Sequence, residues 1–497
     1  MNRSILFHLL FLFPMYLTAQ HCDDCRYISY QFDSVVVTTE QFGQGINSDG
    51  INQQLMMDIY QPYGDTVTNR PLVIFAFGGG FINGTRTEEY VVNGCRRFAR
   101  AGYVAAAIDY RIGFDLLGLF PNPTQELMRV FFRAMQDMRG SIQWFRHNAD
   151  LGGNVYRINP DMVLAGGASA GAITALMMTY CDDSTEFAEI GNLNALNALG
   201  PWNSSSGTYQ NYSWAPQGVF NIAGAIVNTD WIRPGDPPLV STHGDEDNVV
   251  PYQGGNLDFG FTAIGLEGSY NVDEAARAAG VCSYLYTIPG GDHPSGNAPE
   301  EFYDAIYLRS LPRARAVIEG QSFCCPLAID VQPDDIQVAS LNEPFTPTLV
   351  VANDSGNAQS FYCSSVCVPG NQSASDDLIA HGTTEHFYLI GVAYEGNCLA
   401  TDFNSISSLP IPNVPATQLT DFEVAPVPAT TEIVFRPGTS LPGVVRLVLY
   451  DPRGTVIAER TAFGPESRFS VAQLPRGAYL LEVQHRGKSG FRRLLLQ

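Results

Sequence analysis

The sequence predicts an α/β fold: a mostly parallel sheet with helices on both faces, followed by two small all-β domains. Three observations carry this. From about 30 to 320, apolar strand-like runs alternate with helical patterns, the signature of a parallel sheet with crossover helices. From Cys324-Cys325-Pro326 onward, short β-branched or aromatic runs are separated by Gly, Asn and Ser. In the last block, residues 421–497 carry ten basic and seven acidic side chains, a net +3 in a chain whose total is −22.

The strands expected in the first block are Leu72–Phe77, Tyr103–Asp109, Met162–Gly166, Phe220–Val227, Leu239–His243 and Tyr284–Ile288. They are nearly continuous apolar runs, as in strands buried on both faces. Between them, Asn93–Ala101, Gln125–Asn148 and Ala170–Tyr180 read as helices, and a helical segment over 299–319 closes the block. Residues 326–403 read as a small β-sandwich built on runs such as Thr348–Val351 and Phe387–Val392. The Pro/Ser/Asn-rich stretch 405–420 reads as a linker. After it, 422–497 reads as all-β, with strands at Glu432–Phe435, Val444–Tyr450, Val456–Arg460 and Phe491–Leu496.

Composition narrows the chemistry. With 45% hydrophobic and 16% charged residues, the 497-residue chain has ample material for packed cores. Its net charge of −22 repels phosphate backbones, which argues against nucleic acid as a partner. Lys488 is the only lysine among 28 basic residues. Schiff-base chemistry, serine–lysine dyads and the phosphate-loop lysine are therefore excluded. Residues 1–20 have a short charged start, a mostly apolar run from Ile5 to Leu17 and a small-residue exit, which describes a secretory signal peptide. Ten cysteines in an exported chain favour disulfides over a zinc site, with connectivity left open. No metal or organic cofactor is expected.

The chemistry concentrates at strand ends. Gly167-Ala168-Ser169-Ala170-Gly171 lies between an apolar strand and a helix-forming run. A strand–turn–helix of this kind presents a strained nucleophilic serine, with small neighbours allowing close backbone approach. The helix start frees the Ala170 amide as a donor. Upstream, Leu72–Phe77 leads into Gly78-Gly79-Gly80-Phe81, where the bare amides of Gly79 and Gly80 can face a developing oxyanion. Two later strands end in His243-Gly244-Asp245-Glu246-Asp247 and Gly290-Gly291-Asp292-His293. Serine, then acid, then histidine is the order in which one fold class assembles a nucleophile, an orienting carboxylate and a base.

On these motifs, together with Asp109-Tyr110-Arg111 and Val250-Pro251, residues from about 50 to 320 resemble the α/β-hydrolase superfamily. The branch it resembles most is that of secreted carboxylesterases, including bacterial feruloyl- and acetyl-esterase-like enzymes and polyester-depolymerase relatives, which implies an ester substrate that is a small molecule, a glycan ester or a polymer. The resemblance implies Ser169 as nucleophile, His293 as base and acid, and Asp247 rather than Asp245 as the orienter. It leaves His243 a loop-shaping role, and makes Gly79, Gly80 and Ala170 the oxyanion donors. Family members commonly place His where Phe77 stands, so the oxyanion loop departs from the pattern. The segments Gly113–Pro121 and Asp182–Gly218 are expected over the site, with Phe81, Leu116, Trp202 and Trp214 as an apolar or aromatic pocket.

Over 422–497, the pieces Pro426-x-Pro428-Ala429, Leu449-Tyr450-Asp451 and Leu474-Pro475-x-Gly477-x-Tyr479 resemble the C-terminal sorting domain of type IX secretion substrates. That resemblance implies the type IX machinery as a partner, transport across both membranes, and release or surface attachment. The expected function is an exported serine carboxylic-ester hydrolase. The alternatives are a serine peptidase or amidase on the same fold, and a catalytically inactive, hydrolase-like binding module.

Overall fold

The computed structural model describes residues 25–115, 122–260, 262–294 and 300–324, and then, in segments, 328–332, 336–338, 348–352, 359–364, 386–395, 397–408, 422–425, 431–438, 445–450, 456–462, 466–474, 477–485 and 488–496. The expected leader 1–20 and Leu116 lie outside them.

The strands of the first block are β1 (Val35–Ile46), β2 (Asn52–Pro62), β3 (Arg70–Ala76), β4 (Val104–Ile108), β5 (Ile158–Ala168), β6 (Gly218–Ile222), β7 (Ala225–Ile226), β8 (Leu239–Gly244), β9 (Gly254–Asp258), β10 (Ala263–Gly268) and β11 (Ser283–Ile288). Its longer helices are α1 (Glu89–Arg100), α2 (Pro123–Asp150), α3 (Ala170–Tyr180), α4 (Ser269–Ala278) and α5 (Glu300–Ile318). An eight-stranded sheet runs in the order β1-β2-β4-β3-β5-β6-β8-β11. β1 and β2 pair antiparallel, as do β2 and β4; every pairing from β4 through β3 to β11 is parallel. β3 and β4 are buried along their whole length, which is why they carry almost no polar residues.

Strand order positions the site. From β3 the chain crosses through α1 to β4 on one side; from β5 it crosses through α3 to β6 on the other. Right-handed crossovers in opposite directions put their helices on opposite faces. The carboxyl ends of β3 and β5 therefore flank a crevice, the place where open α/β sheets take ligands.

Two expectations change on contact with the structure, and one pair of strands was not expected. The edge hairpin β1–β2 has mixed polarity and no run that stands out in sequence. The run Phe220–Val227 is not one strand: β6 ends at Ile222, Ala223 takes φ 51°, and β7 joins a separate sheet with β10 and β9. Of the expected linker 405–420, residues 405–408 belong to the strand Cys398–Ser408, and the rest lies outside the described residues.

A disulfide joins Cys282 to Cys324, tying the end of α5 to the foot of β11. Beyond it, Ala328–Gln332 pairs with Thr348–Ala352, and a four-stranded sheet contains His386–Glu395 and Cys398–Ser408 at its centre. Ile390 and Leu399 from that sheet join the main apolar core. The last region forms a three-stranded and a four-stranded sheet around its own core, including Phe435, Val445, Val483 and Leu494.

Candidate active site

At the end of β5 the chain turns abruptly into α3. Ser169 makes the turn at φ 54° and ψ −121°, a conformation costing a side-chain-bearing residue about 1–3 kcal/mol. It persists because its neighbours fix it: the Ser169 amide donates to Ile222 O at 2.8 Å, and Ile173 donates to Ser169 O at 2.9 Å. Close packing explains the flanking glycines. A Cβ on Gly167 would lie 2.4 Å from Ala76 O, and one on Gly171 2.2 Å from the same atom. The helix start puts the positive end of the α3 dipole beside Ser169.

The loop after β3 approaches from the other side of the crevice. Two tyrosines hold its entry: the Tyr110 hydroxyl donates to Phe77 O at 2.8 Å, and the Gly78 amide donates to Tyr90 Oη at 2.6 Å. The Phe77 ring stacks on Tyr110 with centroids 4.2 Å apart. Phe77 thus anchors the loop from within the core. Gly79 and Gly80 take φ 106° and 61°. Among the described residues, no acceptor receives the amides of Gly79, Gly80 or Ala170. Arg86 pins the far side of the loop to Asp58 and Asp109 at 3.0 and 2.9 Å. Burial pushes the Asp109 carboxyl above its ordinary value, against the opposing pull of Arg86.

The loops after β8 and β11 are bound to each other. Glu246 N donates to Gly291 O, Gly290 N to Asp245 Oδ1, and Asn248 Nδ2 to Asp292 Oδ2. This brings His293 Nδ1 within 2.7 Å of Asp247 Oδ2. The Asp247 side chain is fully buried and accepts four hydrogen bonds. Oδ1 takes the amides of Val249 and Val250 at 2.9 Å, and Oδ2 takes His293 and, at 3.1 Å, His243 Nε2. Burial alone would raise this carboxyl, but the bonds from His243 and His293, with the His293 charge and the Val249 amide, hold it well below the usual carboxylate range. A depressed native value stabilises the fold above the unfolded carboxylate range, and that contribution is lost as pH falls through the native value.

Sequence reasoning left His243 a loop-shaping role. In the structure its ring is wholly buried between Asp247 and Ser269 Oγ, the latter at 2.7 Å. Ser269 in turn bonds Asn221 and Gly224 O. His243 therefore braces the same carboxylate oxygen of Asp247 that His293 bonds.

Ser169, His293, Gly79 and Gly80 line one open cavity of about 410 Å³, with Gly78, Asn83, Gly84, Glu88, Tyr90, Ala168, Val249 and Pro294. Ser169 and His293 face it without a direct hydrogen bond between them. Such contacts often form only when substrate is bound. The expected aromatic pocket is corrected. Phe81 is fully buried against Phe131 and Tyr110, not on the cavity wall. Trp202 stacks on Phe132 of α2, and the Arg139 guanidinium lies 5.1 Å from its ring and 4.4 Å from that of Trp214. Tyr209 stacks on His147, and Tyr212 bonds Asp150. The insertion's aromatics are spent clamping it to α2. Trp214→Ala is therefore expected to lower the melting temperature by removing a ring that clamps the insertion to α2, and an unchanged melting temperature would show that the ring is no part of that clamp.

A family model described as BD-FAE matches residues 57–199, which include the Gly78–Gly80 loop and Ser169. Esterase-5C of Drosophila pseudoobscura pseudoobscura is 28% identical over 172 residues, covering 33% of this chain and 29% of that protein. Esterase-5A of the same fly is 28% identical over 165 residues, covering 33% and 28%. The chain thus spans less than a third of the length of these relatives. Among solved structures, Thermogutta terrifontis esterase 2 in its apo form overlaps 56% of this chain and 92% of its own, at 20% identity and a TM-score of 0.38. Its propionate-bound form gives 57%, 94%, 20% and 0.40.

Proposed function

We propose that this protein is an exported serine carboxylic-ester hydrolase. The observation that carries the reading is the 2.7 Å His293–Asp247 bond beside a cavity shared with Ser169 on its strained turn. The match to an esterase-related region and to proteins named as esterases supports it. Ser169 Oγ attacks the ester carbonyl carbon while His293 Nε2 takes its proton. Asp247, bonded to Nδ1, fixes the tautomer and stabilises the imidazolium. Negative charge on the carbonyl oxygen falls toward the amides of Gly79, Gly80 and Ala170. Collapse of this intermediate expels the alcohol, which receives the proton from His293 and leaves an acyl-enzyme. Water, deprotonated by His293, then releases the carboxylic acid and restores Ser169.

Short p-nitrophenyl esters test this directly. Ser169→Ala is expected to lower kcat on the order of 10⁵–10⁶-fold. Comparable turnover by the variant would overturn the reading, and preferential cleavage of peptide amides by the native protein would favour a peptidase. We further propose that 1–20 directs export and that 422–497 is a sorting domain. Deleting 422–497 is expected to trap the protein inside the cell envelope; normal secretion would refute that part.

A further inference from the structure

We propose that the Tyr90 hydroxyl is a side-chain member of the oxyanion site, donating its proton to the tetrahedral intermediate alongside the backbone amides. The inference rests on the reading of Ser169 as nucleophile. Tyr90 sits in the first turn of α1, twelve residues beyond Gly78, and nothing in the sequence pattern marks it out.

Hydrogen-bond accounting starts the argument. A phenol has one proton to give and lone pairs to accept with. Tyr90 Oη accepts the Gly78 amide at 2.6 Å, and among the described residues its own proton has no acceptor. The half-buried Tyr90 side chain lies on the wall of the cavity that also holds Ser169 and His293. Location follows from Gly78, which lies between the two groups. A Cβ built there would be 3.0 Å from Ser169 Cβ and 3.2 Å from Tyr90 Oη, so those atoms are at most about 6.2 Å apart. That separation leaves room for an oxygen on the carbon bonded to Ser169 Oγ to sit between the two groups and take the hydroxyl proton.

Burial pushes the Tyr90 phenol up to about 12, so it stays protonated, and able to donate, at neutral pH. The same bond to Gly78 sets the peptide that precedes Gly79. The loop anchor and the donor are therefore one side chain.

Tyr90→Phe tests the proposal, read with p-nitrophenyl acetate and with an aryl trifluoromethyl ketone that adds to Ser169 as a hemiketal. Losing one oxyanion donor costs up to about 10²–10³ in kcat. With the amides remaining, a loss of about ten- to a hundredfold is expected, with KM within twofold. Ketone affinity should fall by the same factor as kcat/KM. A kcat within threefold of the native enzyme overturns the proposal. So does a loss of kcat with ketone affinity unchanged, which would make Tyr90 only a loop anchor. Because Tyr90→Phe also removes the acceptor for Gly78, 3-fluorotyrosine at position 90 gives a second readout that keeps it. This more acidic donor should tighten ketone binding, and unchanged or weaker binding counts against the proposal. Failure of the native protein to form any Ser169 hemiketal would instead bring down the hydrolase reading on which this one rests.

Discussion

On the proposed mechanism, Asp247→Asn is expected to lower kcat by about 10⁴-fold and to leave KM within a few-fold of native, because it corrupts proton position while preserving shape. The carboxylate accepts two amides on Oδ1 and two imidazole N–H groups on Oδ2. An asparagine has one oxygen for those four donors. With its oxygen toward the amides of Val249 and Val250, its NH₂ confronts His293 Nδ1 and His243 Nε2. His293 then carries its proton on Nε2, the atom that must accept from Ser169. With the amide turned over, two backbone N–H groups lose their acceptor in a fully buried site, at about 1–3 kcal/mol each. Steady-state kinetics on p-nitrophenyl acetate decide the matter. A kcat within tenfold of native would mean Asp247 is not the orienting acid.

The second large effect is on stability. Asp137 of α2 is wholly buried and takes Arg111 on its main-chain amide at 2.6 Å, on Nη2 at 2.7 Å and on Nε at 3.0 Å. Arg111 is itself almost fully buried and also bonds Ile46 O and Gln136. Asp137→Ala strands a buried guanidinium without its counter-charge, which costs about 3–5 kcal/mol. For a domain of this size that is a melting-temperature drop of about 6–20 °C. The damage reaches the site through the adjacent Tyr110, whose hydroxyl holds the Phe77 carbonyl. Calorimetry on the purified variant checks it, and a drop under 2 °C would show that the pair is not a principal brace.

What could be read from sequence follows from how local each feature is. The turn at Ser169 is encoded within five residues, since a strand, two small-residue positions and a helix former leave the chain few other conformations. The Gly78–Gly80 loop and the loops ending in Asp247 and His293 are equally local, each sitting at the end of an apolar run. The central strands were legible because burial on both faces forbids polar residues. β1 and β2, toward the sheet edge, have mixed polarity with neither a continuous apolar run nor a regular alternation, and were not. Nor could sequence place Tyr90, whose role depends on a crossing between α1 and the β3 loop. His243 was visible as part of a motif, yet its bond to Asp247 needs the β8 loop to fold back over four residues. The tryptophans of the 182–218 insertion misled for a physical reason. Exposed aromatics beside a sheet edge suggest a pocket, but a buried arginine on α2 gives them a better partner.

The central claim is a covalent intermediate on Ser169. Its most direct test is mass spectrometry of the protein quenched in acid during turnover of a slowly deacylated p-nitrophenyl ester, followed by peptide mapping. One acyl group per chain is expected on the peptide containing Ser169, absent in Ser169→Ala and accumulating in step with the burst of p-nitrophenol. Ester turnover with no acyl adduct at Ser169, or an adduct that survives Ser169→Ala, would contradict the account.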